Sequence, residues 1–352
     1  MRTSFIRHTI ILAFVFFIIC CERKIELPAV ETVSVEEITE TAAKCTIKVT
    51  DDGGDVAFEH GIVYSSSLDE PVMDIFPCYC GSVGRKGTFT IDMLMLSPGI
   101  TYYVRAYAQN EAGTAHGDVL PFTTAGNITG EILFNPESDY GSVTDIEGNV
   151  YKTVQIGNRI WMAENLKTTK YRDGTDITEE KDLNAWENIG SPKFSWFLND
   201  KEKYGSTYGA LYNWHIVNNG KLCPDGWHVS SSADWTSLEE YIGSGSYILE
   251  VFYHLKESGN THWFSWDSTS DVDNFTGFTA LPGGYRGGKP SFQFNGIGWG
   301  AWFWASDQAG EGAIGYGLGN GELENWDILG GYTGPVMIDR KYGFSVRCVK
   351  NQ

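Results

Sequence analysis

Aromatic side chains interspersed with acidic and amide side chains are the residues of this sequence best suited to bind a ligand. Aromatic faces can stack on sugar rings, and neighbouring carboxylate and amide oxygens can accept hydrogen bonds from hydroxyl groups. The sequence predicts a binding surface of this kind, with Trp263, Trp266, Trp299, Trp302, Trp304, Trp326, Arg286 and Asp307 as the candidates. The alternative for each tryptophan is a place in the core, because one aromatic side chain buries about 150–250 Å².

Asp271, Asp273 and Asn274 bring three oxygen-bearing side chains close together in the sequence. Calcium takes oxygen ligands of this kind. Acidic turns without a metal are common, however, and the calcium signature of lectins does not occur in its usual order. We therefore expect no cofactor, and a calcium ion held by these three residues is the alternative.

The histidines show no catalytic pattern. His215, His228, His254 and His262 lie in no recognisable nucleophile motif, and the sequence His-Glu-x-x-His does not occur. The glycine-rich residues 283–288 lack the Lys-Ser/Thr ending of a phosphate-binding loop. Two carboxylates could still converge in space for glycoside hydrolysis. We expect a protein that is not an enzyme, with an enzyme of unrecognised type as an alternative.

Length and charge narrow the class of protein further. The 352 residues suffice for two domains, and 26 basic against 45 acidic side chains give a net charge of −19. A surface that binds nucleic acid needs clustered Lys and Arg to contact phosphates. We expect no nucleic-acid partner.

The first 21 residues have the pattern of a targeting signal. Arg2 and Arg7 precede an apolar run at residues 9–19, which ends at Cys20 and Cys21. The run is shorter than the ~20 apolar residues of a membrane-spanning helix, and it resembles a bacterial lipoprotein signal. That resemblance implies lipidation at Cys21, with Cys20 as the alternative, and a partnership with the membrane through the lipid. A plain cleaved signal peptide is the other interpretation.

The location that follows is extracytoplasmic, with the protein anchored to the outer membrane on its periplasmic or its surface face. Such a compartment permits disulfides. Five further cysteines remain, an odd number that leaves at least one outside an intramolecular pair: Cys45, Cys78, Cys80, Cys223 and Cys348. One of Cys78 and Cys80 could pair with Cys45.

The distribution of tryptophan predicts the domain boundary. All 12 tryptophans lie between Trp161 and Trp326, and residues 22–126 contain none. We place the junction near residues 124–126. The predicted organisation is a signal at residues 1–21, a short linker at 22–27, a first domain at 28–124 and a second domain at 127–352.

The first domain is predicted to consist of strands. Residues 42–49 and 59–64 alternate between apolar and polar side chains, and Tyr102, Val104, Ala106 and Ala108 would share one face of a later strand. A set of short motifs follows the same order as in a fibronectin type III domain: Leu-x-Pro-Gly at residues 96–99, the tyrosine-rich strand, Asn-x-x-Gly at 110–113 and Phe-Thr-Thr at 122–124. The region resembles such a domain, which implies an all-β sandwich that serves as a spacer or an interaction surface.

The second domain mixes strands with short helices. A hairpin is predicted at residues 145–151, and helices at 209–217, at 247–256 and from Ser231 or Ser232 onward, the last with Trp235, Leu238, Tyr241 and Ile242 facing inward. Alternation at residues 300–304 would send Trp302 and Trp304 to one face and Phe303 to the other. A terminal strand at residues 343–348 would place Phe344, Val346 and Cys348 on one face.

Several unusual sequence blocks in this domain occur in the order of a known family. They are Asp145-x-x-Gly148-Asn149-x-Tyr151, Trp161-Met162-Ala163-Glu164-Asn165-Leu166, Tyr208-Gly209-Ala210-Leu211-Tyr212-Asn213-Trp214, Cys223-Pro224-x-Gly226-Trp227-His228-Val229, Gly277-Phe278-x-Ala280-Leu281-Pro282-Gly283-Gly284-Tyr285-Arg286 and Ser345-Val346-Arg347-Cys348. The region resembles the Fibrobacter succinogenes major paralogous domain, known mainly from bacterial secreted and surface lipoproteins and without an agreed activity.

That resemblance implies an α+β, C-type-lectin-like domain with irregular loops rich in Gly and Trp, similar to formylglycine-generating enzymes. Ser230 stands where a Pro is usual before the helix. The resemblance and the oxidising compartment together imply a structural disulfide between Cys223 and Cys348. A chain-entropy estimate assigns about 4–5 kcal/mol to a disulfide that closes a loop of about 100 residues.

The leading functional hypothesis is a non-enzymatic cell-envelope lipoprotein whose lectin-like domain binds a glycan or a surface protein. A structural envelope protein that associates with itself is the alternative, and an enzyme of unknown type comes third.

Overall fold

The computed structural model describes residues 24–54, 59–71, 77–82, 86–187, 190–243, 248–264, 273–287, 294–319 and 334–352, of which residues 77–82, 183, 248–250 and 252 are described by their backbone alone. Cys20, Cys21, Trp266, Asp271 and Trp326 lie outside this part of the chain. No helix within it is long and apolar enough to cross a membrane.

The first region is a sandwich of two antiparallel sheets. Its strands are β1 (Ala29–Glu36), β2 (Ala43–Asp51), β3 (Glu59–Ser65), β4 (Pro77–Ser82), β5 (Gly87–Met93), β6 (Thr101–Asn110), β7 (Gly113–His116) and β8 (Leu120–Thr123). One sheet has the order β1-β2-β5, and the other has the order β4-β3-β6-β7, with β8 also paired to β6. This arrangement agrees with the predicted fibronectin type III-like sandwich.

The predicted strand pattern of β6 is confirmed. Tyr102, Val104, Ala106 and Ala108 are buried on the inner face, because alternate side chains of a strand point to the same side. The backbone N–H of Ser97 donates a 2.8 Å hydrogen bond to the hydroxyl of Tyr102. This tyrosine corner fixes the turn that precedes the strand.

The second region is also mostly β, with short helices. Its strands are β9 (Tyr140–Thr144), β10 (Val150–Ile156), β11 (Arg159–Met162), β12 (Thr178–Glu179), β13 (Lys193–Ser195), β14 (Leu211–Asn213), β15 (Trp227–Val229), β16 (Gly283–Arg286), β17 (Phe294–Ile297), β18 (Gly300–Ala309), β19 (Gly312–Gly319), β20 (Pro335–Ile338), β21 (Gly343–Phe344) and β22 (Cys348–Lys350). One sheet has the order β15-β22-β11-β10-β9, and a larger one has the order β12-β13-β14-β21-β16-β18-β19-β20, with β17 paired to β16.

The helices are α1 (Leu183–Glu187), α2 (Lys201–Tyr208), α3 (Trp214–Val217), α4 (Ser232–Gly243) and α5 (Ile248–Leu255), with a 3₁₀ turn at Phe197–Asn199. The prediction of a helix over residues 209–217 is wrong in its first half. Strand β14 occupies residues 211–213, and the helix begins only at Trp214, where the side chain of Asn213 accepts a hydrogen bond from the N–H of Ile216. Helix α4 begins at Ser232, within the range predicted.

Strand β18 is buried on both faces over residues 300–305, and the predicted alternation separates Trp302 and Trp304 from Phe303. Trp302 and Trp304 pack in one hydrophobic cluster, which also contains Phe344. Phe303 belongs to a second cluster on the other side, together with Trp235. Alternation along a strand separates two faces, but it cannot tell whether one or both are covered.

The terminal strand is split, although the sequence predicts one continuous strand over residues 343–348. Phe344 in β21 pairs with the large sheet, whereas Cys348 in β22 pairs with the five-stranded sheet. Arg347 lies at the crossing and is fully buried. Its guanidinium donates to the carbonyl oxygens of Met162 at 2.9 Å and Phe278 at 2.7 Å, so it joins segments that are distant in sequence.

The predicted disulfide is present. Cys223 and Cys348 are bonded across a sequence separation of 125 residues, with their Cα atoms 6.0 Å apart. Cys45 is buried in the sandwich core. The side chains of Cys78 and Cys80 lie outside the described residues, and so does their predicted pairing with Cys45.

The two regions pack directly against each other. The Ser97 hydroxyl donates a 2.8 Å hydrogen bond to the carbonyl oxygen of Ile297, and the indole N–H of Trp299 donates to the carbonyl oxygen of Leu96. One hydrophobic cluster contains Val104 of the sandwich together with Phe294 and Ile297 of the second region. The sandwich is therefore fixed to its neighbour by shared apolar packing.

Candidate functional site

The tryptophans predicted to stack on a ligand lie in the core. Trp263 and Trp299 are each 1% exposed, Trp302 is 3% exposed and Trp304 is 0% exposed. The indole N–H of Trp304 donates to the carbonyl oxygen of Tyr212 at 2.8 Å. This burial excludes stacking on an external ligand and corrects the prediction for all four residues. The same prediction for Trp266 and Trp326 falls outside the described residues.

Arg286 is also a structural residue. Its side chain is fully buried, with the guanidinium 4.1 Å from the ring centre of Trp186. It donates to the backbone carbonyl oxygens of Glu180 and Asp182. Burial lowers the pKa of Arg286 to about 10. Because the side chain is fully buried, the group does not reach an external ligand.

Asp307 stabilises the start of helix α4. Its carboxylate accepts a hydrogen bond from the backbone N–H of Ser232, the first residue of the helix. The first N–H groups of a helix have no partner within the helix, and a carboxylate there satisfies one of them and complements the helix dipole. Asp307 therefore has a structural role at the start of α4. Its hydrogen bond to Ser232 involves none of the other predicted binding residues.

The predicted calcium ligands are directed elsewhere. A carboxylate oxygen of Asp273 lies 3.0 Å from Nδ1 of His254. Asn274 is fully buried, and its side chain exchanges hydrogen bonds with Thr279 at 2.9 and 3.0 Å. In the part of the chain that the structure describes, no group of three or more His, Cys, Asp or Glu side chains could hold a metal ion. Asp271 lies outside that part.

An exposed aromatic pair lies beside Asp273. Tyr241 at the end of helix α4 is 49% exposed, and Phe275 is 55% exposed. The two rings are nearly parallel, with an interplanar angle of 12° and centroids 6.4 Å apart. Tyr241 was expected to face the core, so its exposure corrects that prediction. We call these two residues, with His254 and Asp273, the aromatic platform.

Backbone contacts fix Phe275 in this position. Its own N–H donates a 2.8 Å hydrogen bond to Asp273 Oδ1, which closes a turn around Asn274. Asn274 has a positive φ of 47°, a conformation that asparagine tolerates better than most residues. The hydroxyl of Thr276 donates to the carbonyl oxygen of His254 at 2.8 Å. The backbone that carries the exposed ring is therefore fixed on both sides of Phe275.

Tyr241 is supported from below by the hairpin turn between β10 and β11. A methyl group added at Gly157 would come within 3.3 Å of the Tyr241 ring, so the glycine backbone lies directly against it. Gly157 also has a φ of +59°, which favours glycine. A side chain at position 157 would therefore crowd the Tyr241 ring.

Polar groups border the rings. His254 lies edge-on to Phe275, with ring centroids 5.6 Å apart, and its imidazole pairs with Asp273. The side chains of His254 and Asp273 are 32% and 49% exposed. The platform therefore combines apolar ring faces with a carboxylate and an imidazole that can exchange hydrogen bonds with hydroxyl groups.

Two other histidines occur in arrangements that resemble catalytic ones. His228 Nε2 and the Ser231 hydroxyl both bond to the same oxygen of Asp234, at 3.0 and 2.6 Å. In a nucleophilic triad the histidine lies between serine and carboxylate and takes the proton from serine. Here the carboxylate lies between the other two, and it also accepts the N–H of Ser231 at the start of α4. The group serves as a helix cap.

The second arrangement is a buried cluster of polar side chains. His262 Nδ1 lies 2.7 and 2.8 Å from the two oxygens of Glu257, and both side chains are fully buried. Glu257 also accepts the N–H of Leu133 at 2.7 Å. The adjacent Lys256 is buried near the ring of Trp263, and burial lowers the pKa of Lys256 to about 8. The cluster anchors the segment that follows the junction, and its burial denies a substrate access.

These observations define a disulfide-linked, mostly β protein with an aromatic surface platform. The family follows from the sequence match. The chain belongs to the Fibrobacter succinogenes major domain family, whose sequence model matches residues 154–350, more than half of its length. This is a surface-associated family of paralogous domains. No protein with a curated description is significantly similar to the chain in sequence.

Several solved structures are similar to a part of the chain. The sensor domain of the anti-sigma factor RsgI4 from Pseudobacteroides cellulosolvens is 17% identical over 28% of this chain and 94% of that chain, with a TM-score of 0.23. A fibronectin type III domain of the human KIAA0970 protein is 13% identical over 32% of this chain and 85% of its own, with a TM-score of 0.21. The FN1–FN3 domains of chicken CNTN1 are 16% identical over 39% and 40%, with a TM-score of 0.22. At these TM-scores the similarities do not bear on function.

The sequence contains one signal that would have indicated the platform. Phe275 directly follows Asp273 and Asn274, and an aromatic residue that ends an Asp-Asn turn lies on the surface unless the turn is covered. Tyr241 carries no such signal, because its spacing from Trp235 and Leu238 is that of an inward-facing residue. Its exposure results from its position at the end of α4.

Proposed function

We propose that the protein is a non-enzymatic cell-envelope lipoprotein whose second domain, of C-type-lectin-like type, binds a glycan through the aromatic platform. Lipid attached to Cys21, or to Cys20 as the alternative, would anchor it to the outer membrane on the periplasmic or the surface face. Membership of a surface-associated family supports this location. The proposal includes no cofactor and no nucleic-acid partner, in keeping with the net charge of −19.

The observation that carries the proposal is the exposure of two nearly parallel rings beside a carboxylate. Isolated apolar residues are normal on a protein surface, but Tyr241 and Phe275 are adjacent and their rings are nearly parallel. The C–H face of a pyranose ring can pack on such rings, while Asp273 and His254 exchange hydrogen bonds with its hydroxyl groups. The arrangement therefore suits a ligand that is apolar on one face and polar at its edge.

Such a platform predicts weak binding at a single site. Each aromatic contact contributes about 0.5–1.5 kcal/mol beyond buried area, and exposed hydrogen bonds contribute about 0.5–1.5 kcal/mol each. The sum corresponds to a dissociation constant in roughly the millimolar range. Many copies anchored to one membrane would then bind a polymeric glycan by avidity.

The test is a glycan array probed with the chain from Glu22 onward, displayed in many copies on beads. The unmodified chain is expected to bind a polysaccharide, and Tyr241→Ala with Phe275→Ala is expected to reduce the signal at least tenfold. Met337→Ala is the matched control, because Met337 is a 65% exposed apolar residue on β20. Equal melting temperatures would show that the variants are folded.

Two results would contradict glycan binding. One is an array signal that the double variant leaves unchanged. The other is an unmodified chain that binds no glycan but forms dimers in sedimentation, with dimers lost in the double variant. That second outcome would support the alternative of a structural, self-associating envelope protein. Turnover in a hydrolase screen, lost on replacing one carboxylate, would instead support an enzyme.

A further inference from the structure

A cavity lies where the two regions meet. This junction cleft has a volume of about 340 Å³. The sandwich contributes one wall, with Tyr103 of β6 and the loop that follows β3, and the second region contributes the 3₁₀ turn before α2. The residues that carry the argument are Ser66, Ser67, Asp69, Tyr103, Leu198 and Phe294. Ligand cavities typically begin at about 300 Å³, so the cleft suits one small molecule.

The cleft is formed before any ligand arrives. Lys203 Nζ donates to the carbonyl oxygen of Gly99 at 3.1 Å, which ties the start of α2 to the sandwich. The hydrogen bond from Ser97 to Ile297 ties the two regions at a second point. Because these contacts fix the two regions relative to each other, a ligand would not have to bring the regions together on binding.

The wall formed by the second region is strained. Leu198 has a positive φ of 50°, and a left-handed conformation costs of the order of 1 kcal/mol or more for a bulky residue such as leucine. Asn199 Nδ2 donates to the carbonyl oxygen of Lys181 at 3.3 Å. The Oδ1 atom of Asn199 is buried, so it is not accessible to a ligand in the cleft. A strained residue in a cavity wall is a feature of ligand-binding sites.

The chemistry of the lining selects the kind of ligand. The lining contains two serine hydroxyls, one carboxylate, one amide and the phenol of Tyr103, and it contains no Lys or Arg. A carboxylate without a cation disfavours an anionic ligand, and the polar groups disfavour an apolar one. Hydroxyls and a carboxylate beside the rings of Tyr103 and Phe294 are suited to a neutral molecule with several hydroxyl groups.

We infer that the junction cleft binds one residue of a neutral sugar, in contact with both regions. Asp69 accepts hydrogen bonds from its hydroxyl groups, the serine hydroxyls donate or accept, and the rings of Tyr103 and Phe294 pack against its carbon frame. The inference does not depend on the aromatic platform, because the two sites share no residue. A chain that binds sugar only at the platform, or only in the cleft, would separate the two proposals.

The test is saturation-transfer NMR on the chain from Glu22 onward, with glucose, galactose, mannose, xylose and N-acetylglucosamine as the probes. At least one is expected to receive saturation from the protein. Ser66→Trp, which fills the cleft from its rim, should abolish that signal, and Asp69→Ala should raise the dissociation constant at least tenfold. Asp92→Ala is the matched control, because Asp92 is an exposed carboxylate on β5 of the other sheet. This variant should change the dissociation constant less than twofold.

A further variant and a further probe distinguish the other sources of a signal. Tyr241→Ala with Phe275→Ala should leave the monosaccharide signal intact, and loss of the signal in that variant would assign the sugar to the platform. Methylammonium should receive no saturation from the unmodified chain, and its binding in place of all five sugars would overturn the inference in favour of a cation site. The inference is overturned if none of the five sugars receives saturation, or if Ser66→Trp in a folded chain leaves the signal unchanged.

Discussion

The Ser97 hydroxyl donates a 2.8 Å hydrogen bond to the carbonyl oxygen of Ile297, 200 positions further along the chain. Both groups are buried, and the apolar side chain of Ile297 lies in a cluster that includes residues of the sandwich. The bond joins the Leu-Ser-Pro-Gly corner of one region to strand β17 of the other. The two regions are therefore coupled through a common interior.

Coupling of this kind predicts one unfolding transition for the whole chain. Ile297→Asp places a charge in the shared cluster, where an unpaired carboxylate is costly, and is expected to split the transition into two. Differential scanning calorimetry measures the number of transitions. Met337→Asp introduces the same charge on an exposed strand and should leave a single transition. Two separate transitions in the unmodified chain would show that the coupling is negligible.

Loss of the Cys223–Cys348 disulfide should reduce stability strongly. The bond closes a loop across 125 residues, and the chain-entropy relation gives about 4–5 kcal/mol for such a length. Urea denaturation of the Cys223→Ser, Cys348→Ser variant is expected to show a free energy of unfolding that is lower by nearly that amount. Reductant should destabilise the unmodified chain to a similar extent and leave the double variant unaffected. A chain indifferent to reductant would contradict the prediction.

Arg347 should be far more important for stability than its single charge suggests. It is fully buried, and its guanidinium donates to three backbone carbonyl groups and to Asn165. Arg347→Met leaves those acceptors without donors, and each unsatisfied acceptor costs about 1–3 kcal/mol before the structure relaxes. We therefore expect the free energy of unfolding to fall by at least about 3 kcal/mol. Arg347→Lys should rescue only in part, because an ammonium cannot reproduce the planar fork.

Urea denaturation also checks the Arg347 prediction. Arg172→Met serves as its control, since the partner of Arg172, Asp225, is 94% exposed and the pair lies 3.8 Å apart. The control variant should unfold at nearly the same urea concentration as the unmodified chain. Equal stability of Arg347→Met and Arg172→Met would rule out the structural role assigned to Arg347.

The His228–Asp234 pair should give the protein a defined pH dependence. The hydrogen bond to Asp234 raises the pKa of His228 above 6.5. Burial would raise the pKa of Asp234, but hydrogen bonds from His228 and Ser231 outweigh it and lower that pKa from 3.8 to about 2. The contribution of His228 to the free energy of unfolding is therefore complete below pH 6.5 and is lost as the pH rises through the pKa of His228 in the folded protein. The contribution of Asp234 is complete above pH 3.8 and is lost as the pH falls toward 2.

The stability difference between the unmodified chain and Asp234→Asn should thus be largest between about pH 4 and 6.5 and should shrink on either side. Melting temperatures across that range measure it. Asp225→Asn, which replaces a highly exposed carboxylate, should show no such maximum. A difference independent of pH would indicate that His228 and Asp234 do not interact in solution.

The sequence pattern predicted those elements of the fold that depend on residues close together in the chain. The alternation of Tyr102 to Ala108 gives a strand with one buried face, and the start of α4 follows from the serines before it. The disulfide was implied by resemblance. The binding surface could not be predicted in this way, because Tyr241 and Phe275 meet only after the chain has folded. Trp304 was misassigned because pattern cannot show that β18 has packed layers on both sides.

The placement of β22 has a consequence for when the domain can fold. In its sheet, β22 lies between β11 and β15, so these two strands share no neighbour until the chain has been made as far as Lys350. The earlier partner, Trp161, leaves the ribosome almost 190 residues before Val349, with which it pairs. Until the last residues of the chain have been made, this sheet therefore lacks the strand that joins β15 to β11.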